Sequence, residues 1–276
     1  MKKPKRRYII SLVVLIIVVI TICAFNKKMK TSVYSISSPK INSKIKIALI
    51  TDLHSCQYGK NQNTLINEIN KQKPDLVLYG GDICDDKLPH DNTELLLKAI
   101  ANKYPSFYVS GNHEFLSGEV NNIKDMFRSY GVTVLEGTYE TIEINEQKIN
   151  ICGIDDPNIN QYANKNTFYN QLESLESVSD NGYYTILLAH RPQYISTYLS
   201  YNFDLVLAGH THGGQWRIPW LLNGLFAPDQ KWFPKYSGGR YNFENGEMII
   251  SRGLARESTR VPRIFNRPEL VIIDLK

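Results

Sequence analysis

Short runs of aliphatic and β-branched residues, each followed by polar residues or a turn, recur along the chain and constrain its fold more than any other feature. We predict strands at residues 45–50, 76–79, 107–109, 184–189, 204–208, 248–250 and 270–273. Segments with helical spacing follow the first three strands, at residues 63–72, 95–100 and 126–130. Because strands that alternate with helices form parallel sheets, we expect a mostly parallel α/β core.

The pattern changes after residue 140, where two strand-like segments lie close together. Residues 141–144 and 148–151 flank Asn145, Glu146 and Gln147, which predicts a hairpin. We therefore expect one α/β domain of two packed mixed sheets flanked by helices, an αββα sandwich. Residues 155–182 are polar and predict a loop or a small helical insertion. Residues 215–247, rich in Trp, Phe, Pro and Gly, predict a long loop that caps part of the domain.

The N-terminal segment is apolar and long enough to cross a membrane. Residues 8–25 contain no charged side chain and would span about 27 Å as a helix, close to the thickness of the hydrocarbon core. We expect a cytoplasmic basic tail at 1–7, a transmembrane anchor at 8–25, a tether at 26–43 and the main domain at 44–276. Five Lys and Arg residues precede the apolar run and three follow it. This distribution favours a single-pass cell-membrane protein with its main domain outside the cytoplasm.

Three alternatives for this segment fit its sequence less well. A cleaved signal peptide needs a small-residue site, which residues 23–27 lack. A lipoprotein signal would use Cys23, but the bulky Ile22 stands before it. A buried helix of a soluble protein is the least favoured alternative, because the run is apolar on all sides.

The charge distribution does not favour a nucleic-acid partner. The full chain has a formal net charge of +5, but residues 1–30 contribute eight Lys and Arg residues and no acid. Residues 31–276 therefore contain 24 basic and 27 acidic residues. We find no basic stripe of the kind that binds phosphate backbones. The sequence also gives no sign of an obligate protein partner.

Five of the predicted strands end in residues that can bind metal ions. The clusters are Asp52-Leu53-His54, Gly80-Gly81-Asp82, Gly111-Asn112-His113-Glu114, His190 and Gly209-His210-Thr211-His212-Gly213-Gly214. Because α/β sheets build their sites at the carboxyl ends of strands, we expect the clusters to converge. In a strand that continued through residues 52–54, Asp52 and His54 would point to the same side. Carboxylate, imidazole and amide ligands together suit Mn, Fe or Zn better than Ca or Mg.

Each cluster also has an explanation that needs no metal. An Asp-x-His pair often arises by chance, Gly-Asp is common in turns, and Gly-Asn-His fits a turn with a hydrogen-bonded histidine. These explanations fail for the clusters taken together, because they follow five apolar strands in this order. We therefore predict a metal site.

The order of these motifs resembles the calcineurin-like metallophosphoesterase superfamily, over residues 44–276. The closer similarity is to its membrane-anchored bacterial branch. It rests on residues 209–215 (Gly-His-Thr-His-Gly-Gly-Gln), 233–236 (Phe-Pro-Lys-Tyr) and 251–254 (Ser-Arg-Gly-Leu). That branch usually continues the last segment with Gly, and this chain departs from the pattern with Ala255.

The resemblance implies two adjacent divalent transition-metal ions, Mn, Fe or Zn. In the implied arrangement Asp52, His54 and His212 bind the first ion, Asn112, His190 and His210 bind the second, and Asp82 bridges them. A hydroxide held between the ions would attack phosphorus, while the ions offset charge on the phosphoryl oxygens.

The resemblance also assigns a role to two residues that bind no metal. His113 would lie near the leaving oxygen as a general acid or a positioning donor. Asp85 would orient His113, with Asp86 as the alternative for that role.

The implied activity is phosphoester hydrolysis, and we favour a phosphodiesterase or pyrophosphatase over a monoesterase. The anchor and the aromatic residues of the capping loop indicate a membrane-proximal or lipid-linked phosphate, such as a UDP-diacylglucosamine-like compound. These aromatic residues are Trp216, Trp220, Phe226, Trp232, Phe233 and Tyr236, and ordinary core packing would equally explain them.

Two further functions and one further role for cysteine are compatible with the sequence. A binding protein could keep the metal for structure, although structural zinc sites are usually closed and cysteine-rich. A nuclease that acts on extracellular nucleic acid would fit the motifs but not the charge of the domain. Cys56 and Cys84 each follow a predicted strand and could form a disulfide or bind metal, although small buried thiols are the simpler interpretation.

Overall fold

Two six-stranded β-sheets face each other and form the frame of the domain. The computed structural model describes residues 3–163, 166–256 and 261–276. Its strands are β1 (Lys30–Ile36), β2 (Ile45–Ile50), β3 (Leu76–Gly80), β4 (Ser106–Val109), β5 (Thr133–Val134), β6 (Thr138–Ile144), β7 (Gln147–Gly153), β8 (Tyr184–Leu188), β9 (Leu205–Ala208), β10 (Phe226–Ala227), β11 (Lys231–Trp232), β12 (Gly239–Phe243), β13 (Gly246–Ile250) and β14 (Glu269–Leu275). Its α-helices are α1 (Lys3–Ala24), α2 (Asn63–Gln72), α3 (Asp91–Ile100), α4 (Asn112–Leu116), α5 (Val120–Ser129), α6 (Ile159–Tyr162), α7 (Thr167–Glu173) and α8 (Ile195–Tyr198).

The first sheet has the strand order β1-β14-β2-β3-β4-β5. Strands β2 to β5 are parallel, β14 is antiparallel to β2, and β1 pairs in parallel with β14 at the edge. Helix α2 lies between β2 and β3 in sequence, and α3 lies between β3 and β4, as parallel crossovers require. The carboxyl ends of β2, β3 and β4 therefore lie along one edge of the sheet.

The second sheet has the strand order β12-β13-β9-β8-β7-β6. Its four central strands are parallel, and β12 and β6 pair antiparallel at the two edges. Strands β6 and β7 form the predicted hairpin. Its two connecting residues, Asn145 and Glu146, have left-handed backbone with φ of 51° and 63°, as a type I′ turn needs.

Apolar side chains fill three layers, one between the sheets and one outside each of them. Alternation along β2 places Ile47 and Leu49 in the layer between the sheets and Ala48 and Ile50 in the layer under helices α2, α3 and α5. Helices α7 and α8 cover the outer face of the second sheet, where Phe168 is buried. Each fully buried aliphatic or aromatic side chain contributes roughly 1.5–3 kcal/mol to stability. The predicted αββα sandwich is confirmed.

Helix α1 stands apart from this core. Its stretch Arg7–Ala24 has a mean hydropathy of 2.7 and is long and apolar enough to cross a membrane. Side chains from Tyr8 to Ile22 are exposed, and at the end of the helix the Phe265 N–H donates to the Ala24 carbonyl at 2.8 Å. Residues 1 and 2 of the predicted basic tail lie outside the described residues.

The segment predicted as a tether, residues 26–43, is corrected by the structure. Strand β1 lies within it and pairs with β14 along its whole length. The sequence did not predict this strand, because β1 lies at a sheet edge, is largely polar and buries only Ile36. Residues 25–29 are thus all that separates the apolar helix from the folded domain.

Two other segments are more ordered than their composition indicates. Residues 155–182 contain α6 and α7, in agreement with the small helical insertion, and residues 164 and 165 lie outside the described residues. Residues 215–247 form a loop, but its last part is strand β12 and the start of β13. Cys56 and Cys84 are buried thiols in the layer outside the first sheet, so the predicted possibility of a disulfide is wrong.

Candidate metal centre

The side chains predicted to bind metal converge at one edge of the sandwich. Asp52 and Asp82 follow β2 and β3, Asn112 begins α4 after β4, His190 follows β8, and His210 and His212 follow β9. Among the predicted ligands two groups emerge, each with ligand atoms within 4.8 Å of one another: Asp52, His54, Asp82 and His212 in the first, and Asp82, His190 and His210 in the second. Asp82 is common to both groups. A third group of this kind joins His54 to two residues that were not predicted as ligands, Asp85 and His113.

The backbone at these residues is strained rather than extended. Asp52, His54, Asp82, His210 and His212 all have left-handed conformation, with φ between 47° and 68°. Non-glycine residues rarely adopt this region, and such strain clusters at functional sites. The strand β2 ends at Ile50, so the expectation that alternation along a strand aligns Asp52 with His54 is wrong. The left-handed turns bring the two side chains together instead.

Hydrogen bonds between loops hold this backbone in place. The Asp52 N–H donates to the Gly81 carbonyl at 3.0 Å, and the His54 N–H donates to the Asp82 carbonyl at 2.9 Å, so the loops after β2 and β3 run side by side. A β-carbon on Gly111 would lie only 2.2 Å from Asp82 Oδ1. Only glycine therefore permits the loop after β4 to approach Asp82 so closely.

Glu114 joins the loops after β3 and β4 through hydrogen bonds. Its buried carboxylate accepts from the backbone N–H groups of Asp82, Ile83, Cys84 and Gly111, at 2.7–3.0 Å. Burial and the nearby Asp82 raise the pKa of Glu114 to about 7, against the lowering effect of these donors. Glu114, the fourth residue of the Gly-Asn-His-Glu motif, thus positions the backbone of the site.

In the first group the Asp52 carboxylate lies beside the His212 imidazole. His212 Nε2 lies 3.3 Å from Asp52 Oδ1 and 3.1 Å from His54 Nε2. Burial alone would raise the pKa of Asp52, but His212 holds it below its ordinary value. Burial lowers the pKa of His212 to about 4. An ionised carboxylate beside an unprotonated imidazole is the protonation state that metal ligands require.

The second group is organised around His190. Its Nδ1–H donates to the Gly80 carbonyl at 2.9 Å, which leaves Nε2 facing Asp82 Oδ2 at 3.1 Å. Burial by itself would lower the pKa of His190, but Asp82 raises it to about 10. Burial would raise the pKa of Asp82, but His190 and His54 hold it well below its ordinary value. A positive charge is therefore strongly favoured between these two side chains.

The residues fit metal ions, because two buried acceptor atoms lack any other partner. Asp52 Oδ2 and Asn112 Oδ1 are buried and form no hydrogen bond. Leaving such atoms unsatisfied is costly, and a bound cation satisfies them. The donor set, with carboxylate, imidazole and amide oxygen atoms, matches divalent transition metals.

The structure corrects the residue predicted to orient His113. His113 Nδ1 lies 2.7 Å from Asp86 Oδ1 but 3.9 Å from Asp85 Oδ1. Asp85 instead bonds His54 Nδ1 at 3.1 Å. The two acids are adjacent in sequence, and the turn between them directs their side chains to different histidines. Asp86, the second candidate for this role, is the partner of His113.

The sequence did not reveal a second layer of contacts around His210. Asp229 lies in the loop of residues 215–247, called the aromatic loop below. Its carboxylate lies 2.9 Å from His210 Nε2 and also accepts from Arg191. Arg191 in turn donates to both carboxylate oxygens of the buried Asp156. The contact with His210 is the largest cause that lowers the pKa of Asp229 to about 2. No motif marks Asp229, because it is 19 residues from His210 in a loop without periodicity.

Comparison with known proteins agrees with this arrangement. Residues 45–214 match the family of calcineurin-like phosphoesterases. The chain belongs to this family. It is 30% identical over 238 residues to the uncharacterized metallophosphoesterase YkuE of Bacillus subtilis. This alignment covers 84% of this chain and 79% of YkuE. It is also 29% identical over 238 residues to phosphodiesterase YaeI of Escherichia coli, with 83% of this chain and 82% of YaeI covered.

Among solved structures, the fold is similar to that of the NAD nucleotidase NadN of Haemophilus influenzae. The TM-score is 0.51 at 16% identity, over 78% of this chain and 46% of the nucleotidase chain. At this identity the similarity concerns the fold alone, and this chain spans about half the length of that protein.

Family membership and the clustered side chains together establish the general chemistry. This calcineurin-like phosphoesterase is a hydrolase that acts on phosphoester bonds. Its cofactors are two divalent metal ions, in keeping with the two groups of Asp and His side chains that share Asp82.

Proposed function

We propose that the enzyme is a dinuclear phosphodiesterase or pyrophosphatase that acts on membrane-proximal or lipid-linked phosphates, using Mn, Fe or Zn. Asp52, His54 and His212 would hold one ion, Asn112, His190 and His210 would hold the other, and Asp82 is shared by the two groups. The observation that carries this proposal is the position of Asp82. Its Oδ2 lies 3.1 Å from His190 Nε2 and 3.7 Å from His54 Nε2, so one carboxylate serves both groups.

The protein residues supply positioning and a proton. Bound ions would supply Lewis acidity there, which activates water and offsets charge on the phosphoryl oxygens. Asp85 fixes the ring of His54 through Nδ1, as outer carboxylates do for metal-binding histidines. Asp86 holds His113 in the same way, which leaves His113 Nε2 able to donate a proton to the leaving oxygen. The side chain of His113 is 29% exposed, so substrate can reach it.

An apolar groove beside the metal centre supports an amphiphilic substrate. It has a volume of about 320 Å³, and its described lining comprises Gln215, Trp216, Leu225, Phe226, Trp232 and Val261. Gln215 Nε2 lies 3.5 Å from His212 Nδ1, so the groove begins at the first group of ligands. A phosphate at the centre could therefore carry an acyl or alkyl chain into the groove, as a UDP-diacylglucosamine-like compound would.

With Mn added, the full chain should hydrolyse a long-chain alkyl phosphodiester or pyrophosphate with higher kcat/KM than the matched monoester. Trp232→Ala should lower kcat/KM for the long-chain substrate by roughly tenfold or more, because a buried aromatic contact contributes about 1.5–3 kcal/mol. The same variant should leave hydrolysis of a methyl nitrophenyl phosphodiester nearly unchanged, since that substrate does not reach the groove. Steady-state kinetics on both substrates gives the comparison.

Phe233→Ala is the matched control, because Phe233 is an exposed aromatic of the same loop that does not line the groove. Equal losses for the long and short substrates would place the effect of Trp232 on the fold or the metal centre. A preference for monoesters would overturn the proposed substrate class.

We also propose that helix α1 anchors the enzyme in the cell membrane, with residues 1–7 in the cytoplasm and the domain of residues 44–276 outside it. The support is the exposed apolar surface of α1 and the five basic residues before it against three after it.

Protease added to intact cells should digest the domain and leave a cytoplasmic control protein untouched. Immunoblotting with an antibody against the domain measures the loss. Protection until the cells are lysed would contradict the orientation, and a mature N-terminus near residue 25 would replace the anchor with a cleaved signal.

A further inference from the structure

A second cavity lies between the aromatic loop and the start of β1. It has a volume of about 600 Å³ and is lined by Lys30, Arg217 and Arg252 together with apolar side chains that include Trp220 and Leu221. Among the described residues that line it, none is acidic and none belongs to the metal centre. The cavity is thus a basic site separate from the reaction site.

The two arginines have donor groups without acceptors. Arg217 Nη1 and Arg252 Nε are buried and form no hydrogen bond. Both side chains pack against Gly238, where a β-carbon would lie 3.3 Å from Arg217 Nη1 and 3.1 Å from Arg252 Cγ. The nearest acid, Glu269, lies 3.6 Å from Arg252 Nε and already accepts from Ser32 Oγ and from the Arg252 backbone N–H.

Two cations held this closely favour an anionic ligand. Burial and the charge of Arg252 lower the pKa of Arg217 to about 10, so the Arg217 guanidinium group remains charged at neutral pH. Guanidinium groups bind phosphate through charge-assisted hydrogen bonds, and an anion between them would relieve their repulsion.

The position of the cavity identifies the source of the anion. Phe265 lines the cavity, and its N–H donates to the carbonyl of Ala24, the last residue of α1. Trp220 and Leu221 at the rim are almost fully exposed, and Trp is enriched where proteins meet the membrane interface. The basic cavity and its apolar rim therefore lie where a membrane-spanning α1 would leave the bilayer.

We propose that this cavity binds the phosphate headgroup of an anionic membrane lipid, with the acyl chains beside Trp220 and Leu221. This inference rests on the proposed membrane anchor. Arg217 and Arg252 donate to the phosphodiester oxygens, and Lys30 adds positive charge. The lipid holds the domain in one orientation against the bilayer, and the short connection at residues 25–29 limits its movement.

Tryptophan fluorescence can test this proposal, because the chain has three tryptophans and all of them lie in the aromatic loop. Trp216→Phe with Trp232→Phe leaves Trp220 as the only tryptophan of the full chain. This protein is reconstituted into phosphatidylcholine vesicles that contain a fixed fraction of phosphatidylglycerol. In one set of vesicles the phosphatidylglycerol is brominated. In the other set an equal amount of phosphatidylcholine is brominated instead. Brominated phosphatidylglycerol should quench Trp220 more strongly.

Arg217→Gln and Arg252→Gln should each weaken this lipid preference by roughly tenfold, the effect of losing a charge-assisted hydrogen bond. Arg128→Gln is the matched control, since it removes the same charge from a half-exposed arginine that pairs with Asp125 and Glu136. Sodium phosphate should relieve the quenching no more than sodium chloride of equal ionic strength.

Flotation of the vesicles separates this proposal from the anchor on which it rests. Protein that floats with the vesicles but is quenched equally by both brominated lipids would overturn the headgroup site and leave the anchor intact. Protein that does not float would remove the anchor and this proposal together. Relief of quenching by phosphate beyond that by chloride would assign the cavity to free phosphate and overturn the lipid source. None of these measurements depends on catalysis.

Discussion

Asp82→Asn should abolish activity and release both metal ions. Asp82 belongs to both groups of ligands, and its two oxygens have separate tasks. Oδ2 faces His190 and His54, while Oδ1 accepts from the His113 N–H at 2.8 Å. Asparagine supplies one oxygen and places an NH₂ group where the second oxygen faced two imidazoles. Metal affinity and activity should fall by more than the about 10–100-fold loss that substitutions outside the ligand shell cause.

Asp85→Asn provides the comparison, because Asp85 is not a predicted ligand and hydrogen-bonds the ligand His54. It should lower metal affinity or activity by about 10–100-fold and still bind two ions at saturating metal. Elemental analysis after dialysis against limiting Mn, together with activity, measures both variants. An Asp82→Asn enzyme that retains two ions with unchanged affinity would show that Asp82 does not bridge them.

Local sequence patterns predicted the frame of the molecule well because its strands are buried on both faces. Residues 76–79 and 205–208 are apolar throughout, and runs of this length are typical of central strands in parallel sheets. Strand β1 escaped prediction because its stability comes from pairing with β14, more than 200 residues away, and its own sequence buries only Ile36. An edge strand of this kind is determined by its partner rather than by its own periodicity.

The predicted ligands could be found because they stand next to strand ends, where topology alone brings them to one edge. Their local geometry could not be found in the same way. The left-handed backbone of Asp52 and Asp82 depends on hydrogen bonds between neighbouring loops. The choice between Asp85 and Asp86 depends on side-chain directions in one turn, which sequence spacing does not encode. Asp229 reaches His210 from a loop whose path is set by tertiary contacts.

His113→Ala should keep both metal ions and still lose activity. His113 lies beside the first group, but its Nδ1 is bonded to Asp86 and Asp85 is engaged with His54. Removing a general acid costs about 10²–10⁴-fold in rate, and the cost depends on how much the leaving oxygen needs a proton. A nitrophenyl ester, whose leaving oxygen is a stable anion, should lose least. An alkyl ester should lose most. Kinetics on both esters, with metal content measured in parallel, gives the result.

Asp86→Asn is the partner variant, and it separates proton donation from simple positioning. It keeps the size of the side chain but replaces the carboxylate that lies 2.7 Å from His113 Nδ1 with a neutral amide. If His113 is the acid, Asp86→Asn should show the same dependence on the leaving group at smaller amplitude, with metal content unchanged. A His113→Ala enzyme without metal would make His113 a ligand or a structural support. Equal losses on alkyl and nitrophenyl esters would mean that His113 positions the phosphoryl group, because an acid cannot help both leaving groups equally.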